Sequence, residues 1–268
     1  EFRVPFDLDG NEVFTTISIG IALWNPEYQR PEDLLRDSDT AMYRAKAMGR
    51  NSFAVFDDAM HRKVVATLRL ENDLRRALAR NEFRVFYQPI VAIDDGRIAG
   101  FEALVRWQHP ERGLLAPGEF IRVAEEMGAI IQLDRWVAEE ACKQLRVWHQ
   151  KYRAHSRTTM SVNLSTTQIM RPDVVAGIDL ILRNSGLYGQ SLKLEVTESV
   201  LVENAQYAKA VLEQLKALKI TISIDDFGTG YSSLSYLRRF PIDTLKIDYS
   251  FVSRMLEDQE SAEIVRTI

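Results

Sequence analysis

The sequence predicts an α/β protein whose main part is a barrel of (β/α) units with an antiparallel first strand. Three observations predict it. From about Phe83 onward, strand-like and helix-like stretches alternate, and repeated βα units imply a largely parallel sheet with helices outside. The first two of these strands are joined by a short loop, AIDDGR at 92–97. So tight a connection forces an antiparallel pair, because a parallel pair needs a long crossover. Four later strands each carry one apolar and one polar face, as expected where one face meets outer helices and the other points into a lumen.

Residues 13–24, VFTTISIGIALW, read as a strand rich in β-branched residues. From Pro31 to Ala47 the pattern is helical: Leu34, Leu35, Ala41, Met42 and Ala45 form one stripe, and Gly49 is the stop signal. FAVF at 53–56 is a second short strand. These pieces form a partial α/β unit that cannot bury a sizeable core alone. Residues 58–80 place Val64, Leu68, Leu74 and Leu78 among many charges, an amphipathic linking helix. Its apolar stripe is explained equally by pairing between subunits and by docking on the barrel. The barrel strands are expected near 83–91, 97–107, 160–165, 192–197, 220–226 and 244–248, with helices such as 130–152, 172–184 and 205–218 between them.

Composition sets outer limits. The 268 residues suffice for one large domain or two smaller ones, and 46% hydrophobic with 27% charged residues is ordinary for a globular protein. A net charge of −4 argues against broad capture of a nucleic-acid polymer. No apolar run reaches the roughly 18 residues that span a bilayer, and the amino terminus lacks signal-peptide character. The single cysteine, Cys142, reads as a small buried hydrophobe, compatible with a reducing cytoplasm. The chain reaches a strand almost at once and stops inside a helical pattern, so it is expected to be part of something longer.

The polar faces carry the chemistry. In MSVNLS, Ser161, Asn163 and Ser165 share one face; in LKLEVT, Lys193, Glu195 and Thr197 do; in ITISID, Thr221, Ser223 and Asp225; in TLKID, Thr244, Lys246 and Asp248. Parallel strands covered on both sides normally read as nearly continuous apolar runs. Carboxylates in a lumen cost several kcal/mol each, in order of magnitude, unless cations compensate. An antiparallel sheet with one wet face is the other reading, which the intervening helices oppose. Asn163, Glu195, Asp225, Asp226 and Asp248 cluster at strand ends, where barrel sites form. Oxygen donors suit Mg²⁺ or Mn²⁺ rather than zinc, and no histidine sits on these strands. Adjacent Asp225 and Asp226 can serve two ions, and an ion pair about 3.5–4 Å apart is a known device for phosphodiester cleavage.

FEALVRW at 101–107 resembles the signature of EAL-domain proteins. YQPI at 87–90, SVNLS at 161–165, LEVTES at 194–199 and IDDFGTGYSSLSYLRRFPIDTLKID at 224–248 follow in order. The resemblance covers roughly residues 70–268. It implies a TIM-like (β/α)8-type barrel that hydrolyses cyclic di-GMP, a bacterial second messenger, to linear pGpG. By this resemblance Glu102, Asn163, Glu195 and Asp225 are ligands of a first metal, and Asp225 bridges to a second with Asp226 beside it. Lys246 positions or polarises the attacking water, Asp248 holds that part of the site, and Glu198 braces the loop after Asp226. Gln88 and Arg106 contact the dinucleotide, although Arg106 also reads as a structural ion-pair partner. Gly228 and Gly230 are expected to make that loop adaptable.

TTISIGIA and DSDTAMYRAKAMGRN resemble the tail of a GGDEF domain, which implies phosphate contacts for Lys46 and Arg50 on one helical face. The GGDEF signature loop lies outside this chain, so cyclase activity is not expected of it. The EAL family's barrel continues past Ile268 with further strands that carry a late glutamate, so the barrel is expected to be incomplete at its carboxyl terminus. The expected layout is a partial GGDEF domain at 1–57, a linking helix at 58–80 and an EAL domain at 81–268. A cytoplasmic homodimer that hydrolyses cyclic di-GMP is the leading reading. A receptor that binds cyclic di-GMP without cutting it is the alternative, and a pure interaction scaffold is a weaker third.

Overall fold

The computed structural model describes residues 5–9, 11–26, 28–152, 157–228 and 237–268. The chain divides into two compact units, Glu1–Asp73 and Leu74–Ile268.

In the first unit, β1 (Phe6–Leu8) and β2 (Asn11–Val13) form an antiparallel hairpin. β3 (Ile19–Ile21) pairs in parallel with β4 (Phe53–Val55), and the crossover between them is α1 (Pro31–Ala47). The helix has Pro31 at its first position, Glu32 and Asp33 in its first turn and Arg44 and Lys46 in its last, charges that suit its dipole. Ala41, Ala45, Ala54 and Met60 make a small core with Phe56 against it. Gly20 permits the closeness: a Cβ there would stand 1.9 Å from the Ser38 carbonyl oxygen. The single strand expected over 13–24 is corrected to two short pieces, with residues 14–18 in neither. β-branched residues favour a strand only where a neighbour completes the ladder. Arg50 is corrected too. It lies beyond the end of α1 with φ +60°, not on the helical face that holds Lys46.

α2 spans Asp58–Ala77. Past it, β5 (Phe83–Val91) and β6 (Ile98–His109) pair antiparallel over nearly their whole length, with β7 (Gly113–Leu115) folded back on the end of β6. Then come α3 (Pro117–Glu126), α4 (Ile130–Lys151), β8 (Thr159–Asn163), α5 (Thr166–Ile169), α6 (Val174–Ser185), β9 (Leu192–Thr197), α7 (Val200–Glu203), α8 (Ala205–Ala217), β10 (Thr221–Phe227), β11 (Thr244–Ile247), α9 (Tyr249–Arg254) and α10 (Gln259–Thr267). Among the described residues the sheet runs β11-β10-β9-β8-β6-β5, and every neighbouring pair from β6 to β11 is parallel.

The two faces of this wall differ as the alternation requires. Leu192, Leu194, Ile220, Ile222, Ile224, Met160 and Val162 are wholly buried. The helices supply the facing stripe, for α4 Ile130, Leu133, Val137, Ala138, Ala141, Cys142 and Leu145. Cys142 is buried as expected, and burial pushes its thiol up to about 12. Trp107, also buried, packs tilted against Phe83 and His109 and edge-on against Phe120, and donates its indole N–H to Glu82 at 3.0 Å. Ser165 departs from the expected strand: it is the N-cap of α5, accepting from the Gln168 amide. β7, α3, α5 and α7 are elements the sequence pattern did not announce. The loop expected to adapt through Gly228 and Gly230 falls largely outside the described residues.

Candidate active site

Register brings the polar residues to one place. Glu102 of β6 lies opposite Gln88 of β5 and Ser161 of β8. Asn163, last residue of β8, lies opposite Glu195 of β9, and Glu195 lies opposite Ser223 of β10. Asp225 is two residues further along β10 on the same face, and Lys246 is the matching inward position of β11.

The side chains converge on Lys246. Its Nζ donates to Glu102 Oε2 at 3.2 Å, lies 3.1 Å from Asp225 Oδ1 and makes a short hydrogen bond to Glu195 Oε2. The Asn163 amide donates to the other oxygen of Glu102 at 3.1 Å, which leaves its carbonyl oxygen as an available acceptor. Glu195 is only 1% exposed. Burial pushes its carboxyl above the ordinary value and the Glu102 charge adds to this, against the hydrogen bond from Lys246. Burial alone would lower the Lys246 pKa. The hydrogen bond to Glu195 and the charges of Glu195, Glu102 and Asp225 outweigh it, so the ammonium is held charged above its usual range. The cost of lumen carboxylates is thus offset in part by a lysine of the same row.

The donor set fits a hard cation. Glu102, Glu195 and Asp225 each offer an oxygen, and these oxygens lie within 4.8 Å of one another. A cluster made of carboxylates plus an amide oxygen suits Mg²⁺ or Mn²⁺.

The other expected site residues take separate places. Asp226 follows Asp225 with φ +52°, in the left-handed region, and its backbone N–H donates to the Asp225 carboxylate at 3.0 Å. Burial and the charges of Asp225 and Asp248 raise its pKa, so it shares the site's field without joining the three-carboxylate group. Asp248 caps α9, accepting from the backbone N–H and the hydroxyl of Ser250, and these bonds hold its pKa low. Glu198 is buried after β9, while most of the loop it was expected to brace lies outside the described residues. Gln88 is exposed beside Glu102. Arg106 sits further along β6, donating to the Val105 carbonyl at 2.8 Å with its guanidinium 5.8 Å from the Phe86 ring.

One residue near the site escaped sequence reasoning. Asp134 of α4 accepts the Ser165 N–H at 3.1 Å, two residues after Asn163. The available signal was a carboxylate on the apolar stripe of an amphipathic helix, between Leu133 and Val137.

Parallel strands alternating with helices, with an acidic cluster on their inward face, define a barrel-type α/β domain. Residues 71–268 match the EAL domain, and residues 1–52 match the GGDEF domain of diguanylate cyclases. The chain belongs to the EAL family, preceded by a short GGDEF segment. EAL domains are TIM-like (β/α)8 barrels, so the predicted fold class holds.

The chain is 42% identical over 264 residues to the bifunctional diguanylate cyclase/cyclic di-GMP phosphodiesterase MucR of Pseudomonas aeruginosa, covering 98% of this chain and 38% of MucR. It is 40% identical over 267 residues to the cyclic di-GMP phosphodiesterase PdeR of Escherichia coli, covering 99% of this chain and 40% of PdeR. It therefore spans roughly two fifths of the length of these curated relatives. Among solved structures, a MucR phosphodiesterase in complex with c-di-GMP is similar with a TM-score of 0.71 and 44% identity, over 75% of this chain and 80% of that one. No helix among the described residues is long and apolar enough to cross a membrane.

Proposed function

We propose that the protein carrying this chain hydrolyses cyclic di-GMP to linear pGpG, using Mg²⁺ or Mn²⁺ in a two-metal site. The observation that carries this reading is the convergence of Glu102, Glu195 and Asp225 around Lys246 at the carboxyl ends of parallel strands. Similarity to named cyclic di-GMP phosphodiesterases supports it. Glu102, Asn163, Glu195 and Asp225 would hold a first ion, with Asp225 and Asp226 serving a second. Bound ions would supply positive charge against the phosphate and a more acidic water.

The remaining roles belong to the chain itself. Lys246 orients the attacking water, because its ammonium already stands among the ligand carboxylates as a donor. Asp248 fixes the segment after β11 by capping α9. Glu198, buried after β9, braces the loop after Asp226. Gln88, exposed beside Glu102, and Arg106 bind the dinucleotide, Arg106 through a phosphate. The working layout remains a partial GGDEF domain at 1–57, a linking helix at 58–80 and an EAL domain at 81–268, in a cytoplasmic homodimer.

Full-length protein with cyclic di-GMP and either ion should release pGpG, read by chromatography. Tight binding in calorimetry with no product under Mg²⁺ or Mn²⁺ would replace hydrolysis with the receptor reading. Neither binding nor product would remove both.

A further inference from the structure

The turn that follows Asn163 is held from two sides. On one, the Leu164 N–H donates to the Glu195 carbonyl of β9 at 2.8 Å. On the other, the Ser165 N–H donates to Asp134 of α4 at 3.1 Å. Asn163 itself reaches across to Glu102, 61 residues earlier in the chain. A line of direct contacts thus runs from an outer helix to the ligand carboxylates: Asp134, the Ser165 backbone, Asn163, Glu102.

Asp134 is a costly residue for its position. It lies on the stripe where α4 otherwise presents Ile130, Leu133, Val137 and Ala138. A carboxylate in an apolar stripe is disfavoured unless it is hydrogen-bonded. Burial pushes its pKa up to about 6, opposed by hydrogen bonds from Ser165. Packing alone does not fix the turn, because a cavity of about 190 Å³ lies beside it, lined by Asp134, Leu164, Gln168, Ile178 and Ile181. With space there, the Ser165 N–H is held by its hydrogen bond to Asp134, beside the cap that Ser165 forms with Gln168 and the Leu164 bond to Glu195.

We infer that Asp134 is a positioning residue for the metal site: by fixing the Ser165 amide it sets the orientation of Asn163 towards Glu102 and a bound cation. This rests on the proposed metal-dependent reading only for its consequence in turnover; the geometric claim stands apart from it. Losing a partner that hydrogen-bonds a metal ligand typically changes metal affinity or activity by about 10–100-fold, and the low end of that range is the scale for Asp134, which acts through the Ser165 backbone two residues from Asn163.

The test compares Asp134→Leu with Asp134→Asn in the full chain. Leucine suits the apolar stripe, so the fold and thermal midpoint are expected to hold. Asparagine keeps a carbonyl oxygen for the Ser165 N–H. Without added metal, the Asn163 side-chain amide signals in a nitrogen–proton NMR spectrum should move in D134L and stay in place in D134N. With metal, the Mn²⁺ concentration for half-maximal cyclic di-GMP hydrolysis should rise at least about tenfold in D134L and stay within about twofold of the parent in D134N, with little change in KM for the dinucleotide. Unmoved Asn163 signals in D134L overturn the inference whether or not the parent turns over. So does a D134N variant that behaves like D134L. A parent without turnover, combined with Asn163 signals that move as expected, would sink the phosphodiesterase reading and leave the positioning role standing.

Discussion

The two faces of β9 occupy the same six residues and do opposite work. Leu192, Leu194 and Val196 are at most 1% exposed and pack outward against helices, whereas Lys193, Glu195 and Thr197 line the other face. The outward face contributes burial worth about 1.5–3 kcal/mol per large side chain. The inward face buries a carboxylate, a cost that Lys246 offsets only in part. A single alternation therefore separates what holds the domain together from what gives it chemistry, and substitutions one residue apart should report different quantities.

The sharpest contrast is between Glu195 and its neighbour Leu194. Glu195→Ala should lower cyclic di-GMP turnover about 10³-fold or more, the scale of losing a preorganised charge-stabilising group, while the thermal midpoint changes by only a few degrees. Steady-state kinetics beside calorimetric melting checks both halves, and wild-type turnover would break the division. Leu194→Ala should do the reverse. It should cost about 2–5 kcal/mol in denaturant unfolding and leave turnover per folded molecule near that of the parent.

Gly228 tests the margin of the site, just past Asp225 and Asp226. It has φ +102°, and a Cβ there would stand 2.8 Å from the Phe251 ring of α9. Gly228→Ala should destabilise by about 1–3 kcal/mol. Adding Phe251→Ala should return only the steric part, since the backbone strain stays; a double-mutant cycle in urea measures the split.

The smallest effect concerns pH. The Asp134 carboxyl binds its proton more tightly folded than unfolded, with pKa raised from 3.8 to about 6. Stability is therefore lost as pH rises through that window and regained as pH falls. Between pH 7 and pH 5 the parent should gain on the order of 1 kcal/mol relative to D134N, a shift of a few degrees in melting. A constant difference between the two proteins across that range would remove Asp134 as its source.

Much of this was legible in the sequence. Period-two alternation revealed the inward row Asn163, Glu195, Asp225 and Lys246 because each strand carries its pattern locally. The AIDDGR loop revealed the antiparallel start for the same reason. What stayed hidden depends on partners distant in the chain. Lys246 also compensates Glu102 and Glu195, and only a register spanning 144 residues shows this. Asp134 passed unnoticed because its partner is a backbone amide 31 residues away, and a backbone amide leaves no mark in composition. The break between β2 and β3 was missed because β-branched residues signal strand preference, not the presence of a neighbour.

The antiparallel start has one more effect. A parallel first strand would begin at the far end of the wall from the carboxylates. Here β5 begins opposite Trp107, near the end of β6, and Glu82 is clamped there, accepting from the Trp107 indole at 3.0 Å and the Gln108 amide at 2.8 Å. The polypeptide thus joins its barrel wall on the chemical side, and Gln88 comes five residues later on the same strand. The start of β5 and the end of β6 are therefore pinned to each other at the same end of the wall as the strand-end carboxylates.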